Sequence, residues 1–273
     1  PDGTDLDAKH QVTVIVTDHK KAPQQGKNVA VKGDLGQSAA GKTDKKGELT
    51  VPEVEQTERH GVYIVGYTDG TFGPSRSMTR SEAAAIFARL LAEKNGDTIS
   101  TAANTKFADI PAHAWYSGYV KYLSNNGITY GKSKTIFAPN DAITRAEFTT
   151  MAVRFFDVYG DGDAEIMEQF SGFNDVSSGY WAAEYIKYAA LHGWINGYGD
   201  GSFHADREIN RAEVVTIVNR LLGREADEDY IADNLRKLNT FPDVSRKHWA
   251  YYAVMEAANA HTAVLGESES WSK

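Results

Sequence analysis

The sequence predicts a mainly α-helical repeat fold preceded by a small β element, and three observations carry that prediction. A sequence unit returns at a spacing of about 65 residues. Apolar residues within each return fall at helical intervals. Residues 1–58 lie outside the repeat and alternate as half-buried strands do. A fixed period of this size marks an array of supersecondary units that bury their cores against one another.

In the first 58 residues, strands are expected over Gln11–Thr17, Asn28–Lys32 and Glu48–Val51, each rich in β-branched residues and bounded by Gly or Pro. Thr43-Asp44-Lys45-Lys46-Gly47 resembles the turn of immunoglobulin-like modules found along bacterial surface proteins. The segment is too short for a full sandwich of roughly 100 residues. It reads as a spacer.

From residue 59 each full unit reads helix, loop, helix. The first half holds an aromatic, an Asp and a Trp: Phe107, Asp109 and Trp115; Phe173, Asp175 and Trp181; Phe241, Asp243 and Trp249. A helix follows each Trp, with apolar positions such as Tyr119, Val120 and Leu123, or Tyr185, Ile186 and Ala189. The second half holds a loop, Gly66-Tyr67-Thr68-Asp69-Gly70-Thr71-Phe72, repeated as Gly197 to Phe203 and, altered, as Gly131 to Phe137. Seven positions after each Phe stands Thr79, Thr144 or Asn210, with Glu82, Glu147 or Glu213 three further on. That spacing is a capping box: the first side chain accepts from the N3 amide and the Glu reaches back. Ile86, Phe87, Leu90 and Leu91, like Val214, Ile217, Val218 and Leu221, then supply a core stripe. Polar linkers are expected over 95–105, 159–169 and 224–239.

The halves are staggered. The first copy has only its second half and the last only its first half, so the expected division is 1–58, 59–106, 107–172, 173–240, 241–265 and a tail, 266–273. A half unit cannot bury its apolar face alone, so 241–265 is expected to dock beside the first copy and close the array.

Composition excludes several function classes. The 273 residues contain no Cys, which removes disulfides and thiolate chemistry. A net charge of -8 argues against general nucleic-acid binding. No apolar run reaches the ~18 residues of a membrane span. The opening Pro1-Asp2-Gly3, without Met or leader, is expected of a mature piece or a fragment, here a monomeric one. The eight His are scattered singly, so neither a metal nor a cofactor is expected. Asp157, Asp161, Gly162, Asp163 and Glu168 approach an EF-hand loop, but Tyr159 stands where an oxygen ligand is needed, so this stretch reads as a solvated linker.

These motifs, in this order and at these spacings, resemble the S-layer homology domain over residues 60 to about 265. The resemblance implies three modules in a pseudo-threefold prism, an extracellular place at the cell wall or S-layer, and non-catalytic anchoring of a surface protein. The implied partner is secondary cell-wall polysaccharide, often pyruvylated, or modified peptidoglycan, held in grooves between modules. It also implies that the Arg after each cap and the groove aromatics touch the sugar. The alternatives are a polysaccharide hydrolase using groove carboxylates and a protein-protein scaffold.

The candidate ligand-binding residues follow, each beside its structural role. Arg80, Arg145 and Arg211 open their helices, where a cation opposes the dipole. They either meet an anionic ligand or pair with an acid of the next unit, and both roles stay open. Trp115, Trp181 and Trp249 are expected to keep their rings in the core, with an indole edge at a groove. Tyr67 and Tyr198 are the better exposed contacts. Asp69 and Asp200 hold their loops, and Asp109, Asp175 and Asp243 read as helix-entry caps. Lys134, with Thr135, replaces the Asp-Gly of the other loops and makes the middle site unlike its neighbours.

Overall fold

The computed structural model describes residues 61–159, 170–265 and 270–272, with 12–15, 25, 28–32, 38–42, 44–46, 48–51 and 56–60 before them. It divides into two compact units, one of residues 1–59 with 262–273 and the other of residues 60–261.

In the first unit, β1 (Val12–Ile15) pairs antiparallel with β4 (Glu48–Val51), Val12 opposite Val51. A second antiparallel pair joins β2 (Asn28–Lys32) to β3 (Ser38–Lys42), Asn28 opposite Lys42. The predicted turn carries a hydrogen bond from the Lys46 amide to the Asp44 carboxylate, 2.7 Å. Its outer residues, Thr43 and Gly47, lie outside the described residues, as do Gln11, Val16 and Thr17 of the first expected strand. A three-stranded sheet runs in the order β5 (Gln56–His60), β6 (His261–Leu265), β7 (Ser270–Ser272), with Ala263 opposite Trp271. Neither β3 nor this sheet was expected. Ser-Ala-Ala-Gly-Lys has no β-branched residue, and β6 continues the apolar pattern of the helix before it.

The second unit is helical. The long helices are α1 (Arg80–Asn95), α3 (Arg145–Tyr159) and α5 (Arg211–Leu222), and the short ones are α2 (Ser117–Asn125), α4 (Ala183–Leu191) and α7 (Tyr251–Ala258). The predicted capping boxes form: Thr79 and Asn210 accept from the amides of Glu82 and Glu213, whose carboxylates reach back. Thr144 and Glu147 do the same, at 3.2 and 3.1 Å. Gly96 and Gly223 end α1 and α5 in the left-handed conformation, which costs a residue without Cβ nothing.

Each long helix packs on the short helix that follows the next Trp, α1 on α2, α3 on α4 and α5 on α7, and α3 also touches α1 and α5. Phe87 of α1 meets Phe148 and Phe155 of α3 at 5.3 and 4.9 Å between ring centroids. All five alanines of α1 are buried, so the helix is covered on most of its circumference, and Tyr63 reaches across to donate to Asn219 of α5.

The expected linker 224–239 holds a helix instead, α6 (Glu228–Asn234), followed by one 3-10 turn, Leu235–Lys237. Asp227 caps it by accepting from the Tyr230 amide, and Ile231, fully buried, anchors it. One apolar residue and one cap sufficed where the polar composition pointed to a linker. The stretch 96–105 has no helix or strand. Residues 160–169, which carry most of the EF-hand-like acids, lie outside the described residues.

Candidate functional site

The three loops share one hairpin. Backbone bonds join Tyr67 to Thr71, Lys132 to Ile136 and Tyr198 to Ser202, at 2.7, 2.9 and 2.8 Å. Onto its first Gly packs the Phe of a first half. A Cβ at Gly66, Gly131 or Gly197 would lie 2.5, 2.4 or 2.5 Å from the ring of Phe241, Phe107 or Phe173. Asp69 and Asp200 brace the outer loops by accepting from the amide and hydroxyl of Thr71 and Ser202. The side-chain hydrogen bond, then the amide, holds each carboxyl below the usual range. In the middle loop Lys134 is exposed and Ser133 takes over the bracing, accepting from the amides of Thr135 and Ile136 at 3.3 and 3.1 Å.

Asp109, Asp175 and Asp243 do not cap helices. The residues at the starts of α2, α4 and α7 make no capping side-chain bond. Each carboxylate instead spans two successive amides of a loop: Asp109 those of Phe137 and Ala138, Asp175 those of Phe203 and His204, Asp243 those of Phe72 and Gly73. The aspartate ties a first half to a second half, a tertiary contact that local sequence could not reveal.

The arginines after the caps are 4, 5 and 4% exposed. The Nε of Arg80, Arg145 and Arg211 donates to the carbonyls of Phe137, Phe203 and Phe72, at 2.8, 2.9 and 2.8 Å. A terminal nitrogen of each approaches Glu147, Glu213 or Glu82, at 3.0, 3.3 and 3.8 Å. Burial lowers the pKa of Arg145 and Arg211, yet a guanidinium keeps its charge at any ordinary pH.

The tryptophans correct the sequence reading. Trp115, Trp181 and Trp249 are 53, 57 and 65% exposed, so their rings are not core. They precede the helices rather than lying on an inner stripe. Tyr198 is partly exposed, donates to Glu213 at 3.0 Å and has its pKa raised first by burial. Tyr67 is half-buried beneath the guanidiniums of Arg76 and Arg211, at 4.1 and 4.6 Å from its ring.

These side chains converge in two grooves. One is lined by Tyr67, Glu82, Arg89, Trp115 and Arg211. The other is lined by Tyr198, Glu213, Arg220, Trp249 and Arg145. The corresponding middle residues are Arg80, Glu147, Arg154 and Trp181, with Lys132 in place of the Tyr and bonded to Asp141 at 2.7 Å. Sequence reasoning missed Arg89, Arg154 and Arg220. Each stands nine positions after a cap arginine, so the fixed offset was the available signal.

The family model of the S-layer homology domain matches residues 44–84, 106–149 and 172–215. The chain carries tandem S-layer homology domains. The first match overlaps β4 and β5, where the other two cover a Trp and a short helix. Cell surface glycoprotein 1 of Acetivibrio thermocellus is 34% identical over 218 residues, 77% of this chain and 9% of that protein. A cellulosome-anchoring protein of the same organism is 30% identical over 233 residues, 85% of this chain and 49% of the relative. The surface-layer 125 kDa protein of Lysinibacillus sphaericus is 32% identical over 163 residues, 58% of this chain and 13% of the relative. The chain thus spans half or less of the length of these relatives. The S-layer homology domains place the chain at the cell surface. No helix among the described residues is long and apolar enough to cross a membrane.

Proposed function

We propose that residues 60–261 form a closed, pseudo-threefold module that anchors a surface protein to the cell wall, without catalysis, by binding secondary cell-wall polysaccharide. The observation that carries this reading is the recurrence of the same five side chains, a Tyr, a Glu, a Trp and two Arg, in two separate grooves. Each groove offers an exposed indole face for the apolar side of a pyranose and a guanidinium, Arg89 or Arg220, for an anionic substituent. Arg220 is exposed and Arg89 half-buried, while the cap arginines are committed to backbone carbonyls, so the outer arginines are the better anion contacts. With Lys132 and Lys134 the middle site is the most cationic and is expected to differ in salt dependence.

The division of labour also favours binding over hydrolysis. A glycosidase needs two facing carboxylates. Among its lining residues each groove has one, Glu82 or Glu213, and both are already used in capping boxes. The test is co-sedimentation of the chain with purified wall before and after its secondary polymer is stripped. Binding lost on stripping, with no release of reducing sugar from intact wall, is the expected result. Undiminished binding to stripped wall would move the partner to peptidoglycan or protein.

A further inference from the structure

Away from the grooves, His60, Glu256 and His261 meet inside the second unit, 3, 0 and 7% exposed. Among the described residues this is the one group of three or more His, Cys, Asp or Glu side chains whose ligating atoms all lie within 4.8 Å of one another. Nδ1 of His60 is 3.5 Å from Oε1 of Glu256, and Nε2 of His261 is 3.4 Å from Oε2. A charge-assisted N–H···O bond closes to about 2.7–2.9 Å. Tetrahedral zinc, with bonds of about 2.0–2.1 Å, holds its ligand atoms about 3.3–3.4 Å apart. The two His–Glu separations lie closer to the second geometry, and all the ligating atoms stay within 4.8 Å of one another.

The orientation of His261 points the same way. Its Nδ1 lies 3.0 Å from the carbonyl oxygen of Asn259, which can only accept, so Nδ1 carries the proton and Nε2 faces Glu256. A backbone carbonyl on the far nitrogen is how proteins fix the tautomer of a metal-bound imidazole. The two imidazoles meet edge to face, at 5.1 Å and 79°, and do not stack.

We propose that His60, Glu256 and His261 bind a structural zinc ion. Two imidazoles and one carboxylate suit zinc, whereas calcium and magnesium take oxygen ligands. With water or a further group as fourth ligand, the ion ties the first and last residues of the repeat unit to the end of α7. The sequence concealed the site because its two histidines stand at opposite ends of that unit. The competing arrangement is a metal-free cluster in which a histidine proton is shared with Glu256.

The test uses the full chain without an affinity tag. Elemental analysis after purification from zinc-containing medium is expected to give about one zinc per chain. Stripping with a chelator is expected to lower Tm by several degrees, restored by zinc chloride. Cobalt(II) in its place should give the visible absorption of a tetrahedral site. His261→Gln and His60→Gln should each lose about 100-fold or more in zinc affinity. Metal-free protein whose Tm does not respond to zinc overturns the proposal, as does an undiminished response in His261→Gln. Should the variants fail to fold, the stoichiometry and cobalt spectrum of the wild-type chain still decide.

Discussion

The Nε of Arg211, at the start of α5, donates to the carbonyl of Phe72 at 2.8 Å across 139 residues of sequence. The other two cap arginines make the same bond forward along the chain, Arg80 to Phe137 and Arg145 to Phe203. Arg211 makes it backward. Bonds from helix-starting amides follow the same circuit, Arg80 to Asp141, Arg145 to Arg207 and Arg211 to Arg76. A cation opposes the dipole at a helix N-terminus; here its donors satisfy carbonyls that burial would otherwise leave without partners.

Arg211→Ala is therefore expected to cost stability first. It leaves the carbonyls of Phe72 and Val65 without their guanidinium donors, and Glu82 without a cation. The expected loss is ~2–4 kcal/mol in urea unfolding. Arg211→Lys should recover little of it, because one ammonium cannot reproduce donors aimed at two carbonyls. Wild-type stability combined with lost wall binding would make Arg211 a ligand contact instead.

Local signals were legible and long-range ones were not. Capping boxes, loop glycines and helical stripes are short-range patterns, and the helices begin where Thr79, Thr144 and Asn210 place them. What Asp109, Asp175 and Asp243 bind is decided about 30 residues away or, for Asp243, about 170 away, so local spacing suggested caps. The tryptophans were misjudged because a large apolar side chain is buried on average, and only the neighbouring groove gives it a reason to be exposed. Ile231 shows the opposite limit: one buried residue and one cap turned a polar stretch into α6.

Gly66→Ala should act through packing. The added methyl would sit 2.5 Å from the Phe241 ring and 2.9 Å from the Thr71 carbonyl oxygen, so the ring or the hairpin must move. Overpacking of this kind costs ~1–3 kcal/mol. Gly199→Ala, where nothing lies within 4 Å, is the control and should be close to neutral in the same thermal melt.

Trp249→Ala and Arg220→Ala should separate binding from folding. Both residues are exposed, so each change is expected within ~0.5 kcal/mol of wild-type stability. Loss of a charge-assisted bond at Arg220 should weaken its groove roughly ten- to a hundredfold. Since several grooves acting on one polymer mask a single loss, the measurement is calorimetry with a monovalent wall fragment. An unchanged affinity in both variants would remove this groove from the site.

Acid should loosen the loops. Partial burial raises the Asp175 pKa, but the amides of Phe203 and His204 outweigh it and hold the carboxyl below the ordinary value, as Thr71 and Ser202 do for Asp69 and Asp200. A folded-state pKa below the unfolded one contributes stability that is complete above about pH 4 to 5 and is lost as pH falls through the folded value. Tm is thus expected to hold above about pH 5 and to fall below about pH 4. The fall should be shallower in Asp175→Asn; an identical acid slope in that variant would clear the loop carboxylate of the effect.

Asp243→Ala tests whether the last segment belongs to the same cooperative structure as the others. Its carboxylate accepts from Phe72 and Gly73 at 2.8 and 2.7 Å, the geometry Asp175 makes with Phe203 and His204 at 2.7 Å each. If the repeats form one closed cycle, the two contacts are equivalent. Asp243→Ala and Asp175→Ala should then each cost ~1–2 kcal/mol, the value of a carboxylate on backbone amides at a partly exposed site, and each should leave a single unfolding transition. A segment merely resting on the first loop would detach without unfolding α1. In that case Asp243→Ala would leave the main transition unmoved while exposing residues near Phe241 to protease, and the closed arrangement would fail.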